Sequence, residues 1–371
     1  MGIMQPQEGE TTINLPGTDI PTDHQGTEEL GPPEEYKPVF TGQAGEYFRI
    51  WIVNTLLTVI TCGIYMAWAK VRTRRYFYAH TELAHSPFDF TGDPVAILKG
   101  NAVVGLGFIL YTLANKFSPP YGWLLLGLFY LVLPYMVFKS LRFNARNSTY
   151  RGISFRFYGT LWESYKTYLL YPLLIPVTLG LIYPYWMLRR KRYFLNSFTF
   201  GGARNSFTGR AGPFYRTYAA SAVATLGLLV ISSVLYAVVI APLRPPAAMN
   251  PMLLGLLVGG SFALFFSAFR QYVNARLTNY CWGQVEMARV RFRSTHNPGT
   301  LAWIQLSNIA AIIVSVGLLA PWAKVRRARY VLDNLVITTP AGLDHFTSVH
   351  EPDESAVGDA ATDFYDFDIG L

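Results

Sequence analysis

The sequence is short of charge, short of cysteine and without any motif that marks a catalytic centre. Only 15% of its 371 residues are charged, against about 25% in an ordinary soluble domain. That scarcity excludes a string of two or three soluble domains, which the length alone would allow. Its two cysteines, Cys62 and Cys281, are too few and too scattered for a disulfide framework or a metal site. Cys62 lies inside an apolar run and reads as a small hydrophobe. There is no phosphate-binding glycine loop, no H-E-x-x-H, no G-x-S-x-G and no paired-cysteine motif. Three of the six histidines, His80, His85 and His296, lie between the tails and read as interfacial polar residues before proton relays. An enzyme is therefore the least supported class, and no catalytic residue or cofactor is expected. No basic segment followed by an apolar run opens the chain, so no signal peptide is expected.

What is present is apolar. Hydrophobic residues make up 51% and aromatic residues 15%. Acids gather at the ends: residues 1–45 hold eight acids and one base, and residues 341–371 hold eight acids and no Lys or Arg. Residues 46–340 then carry 30 basic and 7 acidic residues. The tails, 1–37 and 341–371, lack apolar periodicity and read as solvated and structureless. The bases of the middle flank long apolar runs instead of forming a soluble basic face. That arrangement argues against nucleic acid and for a membrane.

Seven apolar stretches have spanning length, about 48–68, 95–114, 121–139, 166–187, 217–242, 252–270 and 302–322. The second and third, and the fifth and sixth, join through short tips with almost no charge, while the remaining connections are strongly basic. The positive-inside tendency puts the basic connections in the cytoplasm. The fourth and seventh stretches then have basic sequence on both sides. Either the first, fourth and seventh enter and leave on one face, giving four crossings, or charge is overridden and all seven cross.

Those three stretches are related. Residues 40–92 match 157–209 without a gap at fourteen of 53 positions, and a third copy runs from Thr300 to Tyr330. Each copy carries a glycine (Gly63, Gly180, Gly317) two residues after a hydroxyl (Thr61, Thr178, Ser315), and Pro184 and Pro321 follow in two of them. Glycine and proline break a helix, and the hydroxyl can satisfy a freed backbone group. Beyond the break lies a basic aromatic helix: Trp68, Lys70, Arg72, Arg75 and Tyr76; then Trp186, Arg189, Arg192 and Tyr193; then Trp322, Lys324, Arg326, Arg329 and Tyr330. Arginines at i and i+3 share one helical face, and with the aromatic rings they suit anionic lipid headgroups. Glu46 and Glu163 recur at the start of their copies and read as helix-start or arginine-pairing acids. Asn54 and Asn308, with Thr61, Thr178 and Ser315, are the candidates for lining a path if the copies surround one. Ile153–Tyr158 and Val285–Thr295 alternate like strands and predict a small sheet under the membrane.

The pattern F-x-G-x-x-x-E, an apolar run to a glycine, then W-x-K-V-R-x-x-R-Y and later F-x-F-T-G, resembles the YjgN-like family of bacterial inner-membrane proteins. The likeness covers roughly residues 38–340. Ala67 stands where the other copies have proline, and Trp186 is shifted by one. The resemblance implies a multi-pass inner-membrane protein and brings no activity to carry over.

The expected fold is thus an all-α multi-pass membrane protein of tandem repeats with four to seven membrane segments. Its divisions are 38–156 and 157–299, each a repeat plus a hairpin, and a truncated 300–340. Its expected partners are membrane lipids with anionic headgroups. A transporter or channel for an unidentified solute comes first among functions, and a membrane scaffold or lipid-organising protein second.

Overall fold

The computed structural model describes residues 33–235, 238 and 251–339. The C-terminal tail, most of the N-terminal tail and the second uncharged tip lie outside the described residues.

Residues 34–40 are extended in two parts, β1 (Glu34–Tyr36) and β2 (Val39–Phe40). The first helix pair follows, α1 (Ala44–Ile60) and α2 (Met66–Ala79), and then the hairpin β3 (Thr81–Leu83) and β4 (Ser86–Phe90). The same order of elements recurs along the chain. The second pair is α3 (Pro94–Phe117) and α4 (Pro119–Arg146), with β5 (Ser148–Tyr150) and β6 (Ile153–Phe157). The third begins with α5 (Leu161–Tyr165), a π-helical turn (Lys166–Leu170) and α6 (Tyr171–Val177). It returns through α7 (Tyr183–Ser197) to β7 (Phe198–Phe200) and β8 (Ala203–Phe207). The fourth pair is α8 (Ala211–Leu235) and α9 (Pro251–Trp282), with β9 (Val285–Met287) and β10 (Val290–Ser294). The fifth is α10 (Pro298–Val314) and α11 (Ala320–Asp333), which ends in β11 (Leu335–Thr339). The π-helical turn has a local cause. Pro172 and Pro176 supply no N–H, so the ladder before them widens. The Trp186 indole and the Tyr130 hydroxyl donate to the Thr167 and Leu169 carbonyls there.

The strands form one antiparallel sheet of eleven, in the order β1-β11-β10-β9-β8-β7-β6-β5-β4-β3-β2. Its two end strands are successive parts of one stretch, separated only by Lys37 and Pro38. The sheet is therefore a ring, closed by the continuous stretch of residues 34–40. Pro38 has no N–H to donate and sits where the stretch passes from one neighbour to the other. Leu83, Tyr150, Ile153, Phe200, Val290 and Ile337 pack in one buried cluster, joined by Tyr36, Phe88, Phe155 and Phe292. Side chains from nearly every strand can meet only inside the ring. Cross-strand partners Phe88 and Tyr150, Phe155 and Phe200, and Phe292 and Ile337 all face inward. The Tyr150 hydroxyl donates to the Leu83 carbonyl at 2.8 Å, which satisfies it in that interior.

The expectation of an all-α multi-pass protein is overturned by this sheet. The sequence signalled a small sheet at two places, but strands of two to five residues are too short to show a period of two elsewhere. Glu34–Tyr36, read as part of a structureless tail, pairs with β11. Among the described residues three helices, rather than four to seven segments, are long and apolar enough to cross a membrane: α3, α4 and α8. α10 is apolar but shorter.

The first, third and fifth pairs are short because the chain reverses inside them. Cys62, Leu179 and Val316 take left-handed φ of 49, 49 and 50°, and Gly63, Gly180 and Gly317 follow at 91, 83 and 92°. The glycine N–H groups reach back to the Thr58, Ile175 and Ile312 carbonyls, closing paired C-cap bonds. Only glycine holds the second position without strain. Both ends of each pair therefore return to the ring.

Candidate functional site

Five loops join the ring to the helix pairs, and four of them read Phe-x-Gly: Phe40–Gly42, Phe90–Gly92, Phe157–Gly159 and Phe207–Gly209. Each phenylalanine is buried and its ring folds over the glycine, so an added Cβ would lie 2.1–2.6 Å from ring carbon. The residue between them clasps the end of the second helix through its N–H. Thr41 reaches His80, Thr91 Asn147, Tyr158 Ser197, Thr208 Gln284 and Thr295 Asn334. The fifth loop, Ser294–His296, replaces the Phe-x-Gly pair with a buried polar trio. The Ser294 hydroxyl lies 2.7 Å from His296 Nδ1 and donates to Asn279 Oδ1, which also accepts the His296 N–H. Burial pushes the His296 pKa below its ordinary value near 6.5; the Val331 carbonyl opposes that shift and the Arg327 charge adds to it.

Of the basic aromatic residues, the Arg-Tyr ends of the returning helices sit at this base, while Trp68, Trp186 and Trp322 lie in the first turn after the reversal. Tyr76 and Tyr330 accept the N–H of Gln43 and Asn297, and Tyr193 donates to the Thr160 carbonyl, so each pins its own pair. Arg75, Arg192 and Arg329 each donate to the loop of the next pair, at the carbonyls of Phe90, Gly209 and Gly42. The last of these joins the end of the chain to its beginning. α11 packs against α1 there, and the Lys324 ammonium lies 5.0 Å from the Phe77 ring and 5.8 Å from that of Tyr47. Arg72 is exposed, whereas Arg189 donates to the Tyr171 hydroxyl and Arg326 to Ser307 and Asn308. Trp68 stacks on Tyr65, and Lys70, like Trp68, is half-buried.

At the seam between the fifth and first pairs lies a cavity of about 490 Å³. It brings together four sequence-expected residues, Trp322, Arg326, Arg329 and Tyr330, with Trp303 and Thr300. Gln43 and Asp333 also line it. Sequence reasoning missed Trp303, which no pattern separates from the apolar run around it. The signal that could have pointed here is Thr300, which stands where the other two copies carry Glu46 and Glu163.

The residues considered for a path do other work. The Asn54 and Asn308 amides donate across their pairs to the Ala69 and Ala323 carbonyls. The hydroxyls of Thr61, Thr178 and Ser315 accept the Tyr65, Ile182 and Leu319 N–H groups at the reversal. They donate back to Leu57, Leu174 and Ile312. Pro184 and Pro321 are buried in the first turn of α7 and α11, where a missing N–H costs little. The reversal is thus hydrogen-bonded from within, while its side chains are bare: Leu179 is 92% and Val316 91% exposed.

A family model described as "Bacterial protein of unknown function (DUF898)" matches residues 35–364. The inner membrane protein YjgN of Salmonella typhimurium is 34% identical over 148 residues, and the Escherichia coli protein of the same name 31% over 151. Each alignment covers 39% of this chain and 37% of the relative, little more than a third of its length. No solved structure matches.

Proposed function

The chain belongs to the DUF898 family of bacterial proteins, and from that premise we propose that it is an inner-membrane protein that organises anionic lipid around a closed ring. The helix pairs lie in the bilayer, and the β ring lies against its cytoplasmic face. Tandem duplication of a helix pair and a β-hairpin accounts for the recurring order of elements.

The observation that carries the reading is the contrast between the ends of the short pairs. At the tips, exposed apolar side chains surround a turn whose backbone N–H groups find partners within it, as hydrocarbon demands of donors. At the bases stand arginine and tyrosine, residues that suit the headgroup layer, while Trp68, Trp186 and Trp322 lie in the first turn after each reversal. α1, at 17 residues, is about 26 Å long, so its tip stays within a hydrocarbon core of about 30 Å. The relatives' name, inner membrane protein, agrees. An aqueous path along the ring axis finds no support, because the cluster around Tyr150 and Val290 fills the ring.

The test is the lipid retained when the protein is excised from its membrane with a bilayer-solubilising polymer. The reading expects anionic phospholipid enriched at least twofold over the bulk, and lost from a combined Arg72→Gln, Arg189→Gln variant. An annulus of bulk composition in the unaltered protein would refute it.

A further inference from the structure

We propose that the seam cavity is a binding site for one phospholipid headgroup, whose phosphodiester is held by Arg326, Arg329 and the Thr300 hydroxyl. The proposal rests on the lipid-organising reading and narrows it to one place and one molecule per chain.

Three observations carry it. First, the two guanidiniums are underused. Among the described residues Arg326 engages only Nη1, with Ser307 and Asn308, and Arg329 only Nη2, with Gly42. A guanidinium offers five N–H donors in a fork that fits phosphate oxygens. Second, the site lacks the acid its siblings possess. In the first pair Glu46 accepts a hydrogen bond from Tyr76, the counterpart of Tyr330, and lies 3.7 Å from His80. Glu163 holds the same position in the third pair. Thr300 replaces that carboxylate with a hydroxyl at the seam, which removes one negative charge from the cavity that holds Arg326 and Arg329. Third, the cavity has the lining of the interface. Trp303 is 66% exposed, and Arg326 lies 5.1 Å from the centre of the Trp322 ring. Asp333 sits in the same cavity, in no ion pair with either arginine among the described residues. Its carboxylate suits the hydroxyl or ammonium hydrogens that phospholipid headgroups carry beyond the phosphate. Occupancy would tie α10 and α11 to the start of α1, at the one junction of helix pairs that no β-hairpin bridges covalently.

The test uses the full chain, delipidated in detergent and examined by native mass spectrometry. Dioleoylphosphatidylglycerol, dioleoylphosphatidylethanolamine and dioleoylglycerol are added in turn, and glycerol phosphate is the soluble competitor. Each phospholipid is expected to give one tight adduct, and dioleoylglycerol none. Thr300→Glu, which installs the acid the sibling pairs fold with, should weaken the adduct at least tenfold without lowering the melting temperature. Arg326→Gln should weaken it as much, and Arg326→Lys less. Equal retention of dioleoylglycerol, or an adduct unchanged in Thr300→Glu, would overturn the proposal. Full displacement by millimolar glycerol phosphate would overturn the lipid as source and leave a soluble phosphate. If the single adduct fails while bulk anionic enrichment persists, this inference falls alone; loss of both removes the reading beneath it.

Discussion

The β ring and the helix tips put the same kinds of side chain to opposite uses. In the ring, Val290 is 2% exposed and aromatic residues from facing strands close over it. At the tips, Leu179 and Val316 stand almost wholly uncovered. Water permits the first arrangement and penalises the second; lipid permits the second provided that no backbone group is left unpaired. On the proposed reading one chain serves two solvents, with the boundary between them at the loops where phenylalanine covers glycine and arginine reaches the neighbouring pair.

The contrast breaks most visibly under truncation. Ile337→Ala in the ring should cost about 2–4 kcal/mol, read as a lower unfolding midpoint in detergent. Leu179→Ala at a tip should change it by less than about 0.5 kcal/mol. Equal losses would mean that the tips are packed like the ring. A smaller effect isolates the backbone argument. Thr178→Val keeps the shape but removes the acceptor for the Ile182 N–H, and should cost about 1–2 kcal/mol in bicelles. Smaller again, and of opposite sign, is Val316→Gly. A β-branched residue is strained at φ 50°, so glycine should stabilise by about 1 kcal/mol despite the lost methyl groups. A destabilised variant would show that the Val316 side chain has a partner.

The least effect concerns pH and the loop that departs from Phe-x-Gly. His296 is buried and its pKa is lowered, so folding favours its neutral form. Its contribution is present in full above the unfolded value near 6.5 and is lost as pH falls below it. Urea midpoints should therefore decline from pH 7 toward pH 5, and His296→Gln should flatten that decline. A parallel decline in the variant would assign the effect to other groups.

Much of the helical part could be read from sequence, because Gly63, Gly180 and Gly317 recur with a hydroxyl two residues before each. The ring could not. Its strands are too short for alternation to stand out, and its closure depends on residues 34–40 meeting β11 across the whole chain. The arginines were legible as a set but not by role. Arg75 and Arg329 share one motif position and both act as staples. Arg326 differs from Arg72 only in what surrounds it, with Asn308 turned to accept its donor while the Asn54 oxygen stays buried without one. Packing decides that difference, and spacing does not record it.

The account stands on the tips lying in hydrocarbon. Cys62 is exposed at the first reversal, while Cys281 is buried, so a nitroxide can be placed on Cys62 alone and compared with one on Arg204→Cys in the ring. In lipid vesicles the label at Cys62 should relax strongly with oxygen and hardly at all with a water-soluble nickel chelate, the reverse of the ring label. Equal access of the chelate to both positions would contradict the account.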